Sequence, residues 1–158
     1  MVRAEKSISA TSAWLAFQKA SAEMSRPGLT LDTGALMALE NRRHSMTRVY
    51  VTALRHNVPI TVPTVVIAEW SRAGAGKRFR ERLLASLIVE NLTKRIAEIA
   101  GEAIGQVRAL PPNKGTIDAI VITSAWLRGD TIYSSDVRDL TTICSSVGAF
   151  AHVPIQHA

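Results

Sequence analysis

A chain of 158 residues with 47% hydrophobic content is long enough to bury one sizeable core. Its one cysteine, Cys144, excludes an internal disulfide framework and a cysteine-rich zinc site and points to a reducing, cytoplasmic setting. No run approaches the roughly 20 apolar residues that cross a bilayer, and the first residues lack a continuous apolar signal core, so an unexported protein without a membrane anchor is expected.

In chain order, residues 1 to 25 place Ile8, Trp14, Phe17 and Met24 at loosely helical spacings before Arg26-Pro27-Gly28 breaks the pattern. This predicts an N-terminal arm or helix (residues 1–28) ahead of a domain spanning residues 29–158. Leu29 to Asp32 reads as a short strand, followed by helices from Ala35 to Glu40 and from about Ser45 to His56. Pro59 to Val62 reads as a second strand, and Pro63 opens a helix from Thr64 to Ala73 that Gly74 and Gly76 end. An amphipathic helix is predicted over Lys77 to Leu87 and a strand over Ile88 to Leu92; Thr93 then caps a long helix from Lys94 to about Leu110. Pro111-Pro112-Asn113 stops it. Thr116 is expected to cap a helix from Ile117 to about Arg128, followed by a strand at Thr131 to Tyr133. Ser135 or Asp136 caps the next helix, which ends near Ser146 to Gly148, and Ala149 to Ile155 supplies a last strand. Strands alternating with helices imply a three-layer α/β sandwich, a mostly parallel sheet of four to five strands with helices on both faces.

The formal charge is +6, and the cations cluster: Arg72, Lys77, Arg78, Arg80 and Arg82 fall within eleven residues that hold one acid, Glu81. Arg42, Arg43, Arg48 and Arg55 form a second basic stretch. Such patches suit a polyanion such as nucleic acid or an acidic protein partner, although either alone also reads as a solvated helix face.

The acids are placed differently. Of 13 Asp and Glu, four stand isolated in apolar or capping settings: Asp32 in LTLDTGAL, Glu69 in TVPTVVIAEW, Asp118 in GTIDAIVITSAW and Asp136 in TIYSSDVRDL. Carboxylates against a core call for a compensating cation. In a parallel α/β sheet, ligands collect at the strands' C-terminal ends, where Asp32 and Asp136 both fall. Asp118 lies in a first helical turn, on a face shared with Val121, Ile122 and Ala125, and Glu69 lies among Val65, Val66 and Ala73. Hard oxygen donors with no accompanying Cys and no His pair select Mg²⁺ or Mn²⁺. Beside a phosphodiester such an ion neutralises charge and acidifies an attacking water, and a second ion about 4 Å away can stabilise the leaving oxygen. Hydrolysis of nucleic acid unites the acids with the cations. Singly, each acid also reads as a helix cap, a first-turn anion or, for Glu69, a partner of Arg72. Thr33, Ser134 and Ser135 either support the ligands or substrate phosphate by hydrogen bonds or only form turns.

The order of these pieces, LTLDTGAL, PTVVIAEW, TIDAIVITSAWLRG and IYSSDVRDL, resembles the PIN-domain ribonucleases, and most of all the VapC-type toxins of bacterial toxin-antitoxin pairs. The likeness runs from about Leu29 to Ile155. It implies a PIN-like fold and an endoribonuclease dependent on Mg²⁺ or Mn²⁺. Asp32, Glu69, Asp118 and Asp136 are the implied acidic quartet, with Asp32, Asp118 and Asp136 on the metal and Ser134 at a small hydroxyl position. It further implies an RNA substrate, homodimers, and a cognate antitoxin whose tail enters the active site. Gly34 departs from the pattern, which often has a polar or small hydroxyl residue there, and Asp139 fits the fourth motif as well as Asp136 does. Two other readings compete. Asp32-Thr33-Gly34 also spells the active-site turn of aspartic proteases, which would demand a mostly β chain. A PIN-like RNA-processing protein or scaffold without a toxin role is the other. His44, His56, His152 and His157, at helix ends or in the tail, receive no ligand role.

Overall fold

The computed structural model describes residues 26–74, 76–111 and 114–158, so the expected arm at residues 1–25 lies outside the described residues. Strand β1 (Leu29–Leu31) leads into helices α1 (Thr33–Glu40) and α2 (His44–Arg55); β2 (Ile60–Pro63) leads into α3 (Thr64–Arg72) and α4 (Lys77–Leu84). Then come β3 (Ile88–Glu90), α5 (Lys94–Gly105), α6 (Thr116–Arg128), β4 (Thr131–Ser134), α7 (Val137–Ser146), a 3₁₀ turn (Gly148–Phe150) and β5 (Ile155–His157). All strand pairs are parallel, in the order β3-β2-β1-β4-β5. This is the α/β sandwich the alternating pattern predicts, with β1 at its centre. The parallel sheet and its helices remove the aspartic-protease reading, which needs a chain that is mostly β.

Burial explains the layering. Helix α6 has eight consecutive buried residues, Ala119 to Trp126, the mark of a helix enclosed on all sides. It packs on β1, β2 and β4 from one face and carries α5 on its outer side, where Ile96 and Ala100 meet Ala119 and Ile120. Helices α1 and α2 cover the opposite face. Leu31, Leu36, Val62, Val66, Val121, Ile122 and Ile132, all fully buried, fill the space between the layers. At about 1.5–3 kcal/mol per buried aliphatic side chain, this core is what orders the sheet.

Several boundaries differ from the sequence expectation, each for a local reason. Helix α4 stops at Leu84, because Ser86 and Leu87 turn back in tight bonds to Leu83 and Leu84. Strand β3 is only Ile88–Glu90. Helix α5 ends at Gly105 and does not reach Leu110: Gly101 and Gly105 weaken its last turns, and Gln106 and Val107 close it with i→i+3 bonds to Ala103 and Ile104. Thr116 is not the cap of α6 but its first residue. The cap position is Gly115, in left-handed geometry at φ 84°, its carbonyl accepting the N–H of Ala119 at 2.8 Å. The last strand is Ile155–His157 and does not begin at Ala149, because Phe150 is buried by the 3₁₀ turn edge-on to Trp126, ring centroids 5.2 Å apart. Asp136, not Ser135, caps α7, and Thr93 caps α5 as expected.

Candidate active site

The chain order reverses beside β1, with β2 on one side and β4 on the other, and such a switch point opens a crevice at the strands' C-terminal ends. Leu31 pairs with Tyr133, so the next residues, Asp32 and Ser134, emerge side by side. Asp32 caps α1, its carboxylate accepting the Ala35 N–H at 2.7 Å, and is only 9% exposed. Ser134, fully buried, hydrogen-bonds Asp32 through its hydroxyl and accepts the Asp136 N–H at 2.8 Å. Asp136 is exposed and caps α7 by accepting the Asp139 N–H at 3.3 Å.

The other two acids arrive on helices. Helix α6 leads into β4 and so runs against the strands, which brings its N-terminus, with Asp118 in the first turn, to the same end of the sheet. There the positive end of the helix dipole faces the carboxylates. The face it shares with Val121, Ile122 and Ala125 is buried, as expected from the spacing. Glu69, in the second turn of α3, accepts a hydrogen bond from the Thr33 hydroxyl. That bond ties α3 to α1. No Glu69–Arg72 ion pair is present among the described residues.

Electrostatics show that these acids share one space. The Asp118 carboxyl is pushed from 3.8 up to about 6, first by burial and then by the negative charges of Asp32, Glu69, Asp139 and Asp136, in that order. Burial also raises Asp32, with Glu69 adding to it, while bonds from Ser134, Ala35 and Gly34 pull the other way. Five carboxylates thus crowd one crevice, and Asp139 weighs on Asp118 more than Asp136 does. Acceptor-only carboxylates repelling one another make a donor set for a hard divalent cation, with no Cys or His among them. The side chains as they stand form an open cluster: among the described residues, no group of three or more His, Cys, Asp or Glu is drawn tightly enough to hold an ion.

The five cations singled out from sequence divide between two places. Arg72 lines a groove with Glu69, Val65, Ala68, Thr116, Ile117 and Ile120, next to one of the acids, Glu69. Lys77, Arg78, Arg80 and Arg82 lie on α4. Lys77 pairs loosely with Glu81 at 3.8 Å, and Arg82 borders a separate groove of about 510 Å³ with Arg42, His44, Tyr50 and Phe79.

Gly34 and Ser135 each stood out in the sequence, but their contact did not, and neither did the bonds of Asp130. Gly34 and Ser135 are in direct steric contact across the crevice. Elsewhere, Asp130 accepts the Gly28 N–H, the Thr30 hydroxyl and Arg128 Nε, each at 2.8 Å, and Arg128 also pairs with Glu90. These acids are structural. Asp130 precedes β4 and so stands at the opposite end of the sheet from Asp32, a placement readable from the strand boundary alone.

No protein-family model matches the chain, and no curated protein sequence does. Solved structures do share its fold. A chain of DNA-bound VapBC from Salmonella typhimurium superposes with a TM-score of 0.65 at 14% identity, the match covering 84% of this chain and 98% of that one. A chain of VapBC2 from Rickettsia felis, bound to a DNA fragment from their promoter, gives 0.61 at 13% identity, covering 82% and 98%. The PIN-like fold expected from the sequence motifs is the fold observed. No helix among the described residues is long and apolar enough to cross a membrane.

Proposed function

We propose that this chain is a Mg²⁺- or Mn²⁺-dependent endoribonuclease and the toxin member of a toxin-antitoxin pair. The observation that carries the reading is the convergence of Asp32, Glu69, Asp118 and the Asp136/Asp139 pair on one crevice at the switch point of a parallel sheet. Asp32, Asp118 and Asp136 are the residues that would hold a divalent ion, with Asp139 placed to share that role. Such an ion, when bound, supplies positive charge at the scissile phosphate and acidifies a coordinated water.

The chain's own residues account for the rest. The Ser134 hydroxyl favours the ionised form of Asp32 and holds it toward the crevice. Thr33 fixes the carboxylate of Glu69, and the α6 N-terminus offsets part of the charge on Asp118. Arg72 beside the crevice, with Lys77, Arg78, Arg80 and Arg82 on α4, binds the flanking RNA backbone. The sequence resemblance to VapC-type toxins and the VapBC origin of the structural neighbours favour an antitoxin partner, a homodimer and a cytoplasmic setting.

In the cleavage step a water oxygen bonds to phosphorus in line with the leaving group and gives up a proton to solvent, the bond from phosphorus to the 3′-oxygen breaks, and that oxygen takes a proton. Products therefore carry 5′-phosphate and 3′-hydroxyl ends. End-group analysis of RNA cut by the purified protein is the test, and 2′,3′-cyclic phosphate ends would overturn the mechanism.

A further inference from the structure

Four hydroxyls lie near the carboxylates, those of Thr33, Thr116, Ser134 and Ser135, and two are committed. Thr33 donates to Glu69, and Ser134 serves Asp32 and the Asp136 N–H. Ser135 is exposed, and its hydroxyl has no hydrogen-bond partner among the described residues.

Its position is nonetheless fixed from three sides. Only Ser135 and Asp136 connect β4 to α7, and both flanking residues are tied down: Ser134 in the sheet and Asp136 at the helix cap. The third constraint is α1. A Cβ built on Gly34 would overlap Ser135 Oγ and come within 2.8 Å of Ser135 Cβ and 2.9 Å of its backbone N. Gly34 has no positive φ, so the contact, and not backbone conformation, is what requires glycine there. The Ser135 hydroxyl therefore occupies the volume into which a side chain at position 34 would project, two residues from Asp32 and between the α1 and α7 caps.

The chemistry of that spot narrows its use. Ionised carboxylates only accept hydrogen bonds, and so do the non-bridging oxygens of a phosphodiester, so a phosphate entering this crevice needs donors. Two hydroxyls here are uncommitted: Thr116 lies in the groove with Glu69 and Arg72, whereas Ser135 stands at the β4–α7 turn against Gly34 and next to Asp136. Being neutral, Ser135 adds a donor without pairing off the acids that would hold a cation.

We propose that Ser135 is a substrate-positioning residue whose hydroxyl donates to a non-bridging oxygen of the scissile phosphate. The proposal rests on the reading of this crevice as an RNA-cleaving site. It assigns Gly34 a purpose too: its missing side chain makes room for that hydroxyl.

The test compares wild type, Ser135→Ala, Gly34→Ala and Asp118→Asn on one RNA in Mn²⁺, with Mn²⁺ affinity and thermal stability measured alongside. A hydrogen bond to a charged oxygen is worth about tenfold to a hundredfold. Ser135→Ala should therefore lower kcat by that factor, with KM within about twofold, because flanking cations supply most RNA affinity. Mn²⁺ affinity and melting temperature should stay at wild-type values, which a purely structural role would not allow. Gly34→Ala, which displaces the hydroxyl, should be at least as impaired. The Ser135→Ala defect should persist on RNA with a single 2′-deoxynucleotide at the scissile position; its disappearance there would move the contact to the 2′-hydroxyl and overturn the phosphate assignment. Wild-type kcat in Ser135→Ala, with Asp118→Asn inactive, overturns this proposal while leaving the nuclease reading intact. A wild-type protein that does not cut RNA overturns both.

Discussion

Asp118 carries the electrostatic cost of the site. Its carboxyl is raised from 3.8 to about 6 by burial and by its acidic neighbours, so the folded protein holds that proton more tightly than the unfolded chain does. The stability this group contributes is then full at low pH, below 3.8, and is lost as pH rises through about 6. Asp118→Asn has no such titration. In EDTA, the variant should match wild type below about pH 4, gain on it between about pH 4 and 6, and keep a constant advantage above that, read from thermal melts across that range. Saturating Mn²⁺ should stabilise wild type more at about pH 8 than at about pH 5, since a cation binds the ionised carboxylates. A constant difference between variant and wild type at all pH values would remove Asp118 from the cluster. The same residue shows how a sequence reveals a site. An acid in the first turn of an otherwise apolar helix was legible in TIDAIVITSAW; its coupling to Asp139 over Asp136 was not, because side-chain approach depends on how α7 packs.

At the scale of elements, the N-terminus of α6 depends on one glycine. Gly115 sits at φ 84°, where a Cβ would come within 2.9 Å of both Ile104 and Leu110. Gly115→Ala should cost at least about 1–2 kcal/mol from the left-handed backbone alone and weaken Mn²⁺ binding by shifting Asp118, checked by urea unfolding and by titration. Helix α4 tests the other half of the site. Charge reversal at Arg78 and Arg82 should raise the RNA dissociation constant and flatten its salt dependence, and unchanged binding would confine RNA contact to Arg72 and the crevice. Strand and helix order was legible because period-2 and period-3.6 patterns alternate cleanly along the chain. Boundaries were less so. Gly115 carries no capping side chain, so Thr116 looked like the cap; Phe150 reads as a strand residue until Trp126 is seen to hold it in a 3₁₀ turn. The Gly34–Ser135 contact joins residues about a hundred positions apart, and nothing local announces it.

Across the whole molecule, charge is divided by purpose. A net charge of +6 coexists with five carboxylates gathered at one end of the sheet, so the excess of cations lies on the surrounding surface. That arrangement suits the proposed function, in which surface cations attract the RNA and a divalent cation offsets the negative crevice. The fold supplies the crevice by placing β4 beside β1, and the motifs supply the acids. The most direct measurement is cleavage of RNA by the purified protein, free of any partner, with Mg²⁺ or Mn²⁺ and with EDTA, beside folded Asp118→Asn. The predicted result is cleavage only by wild type and only with the metal; cleavage that persists in EDTA, or in Asp118→Asn, would contradict it.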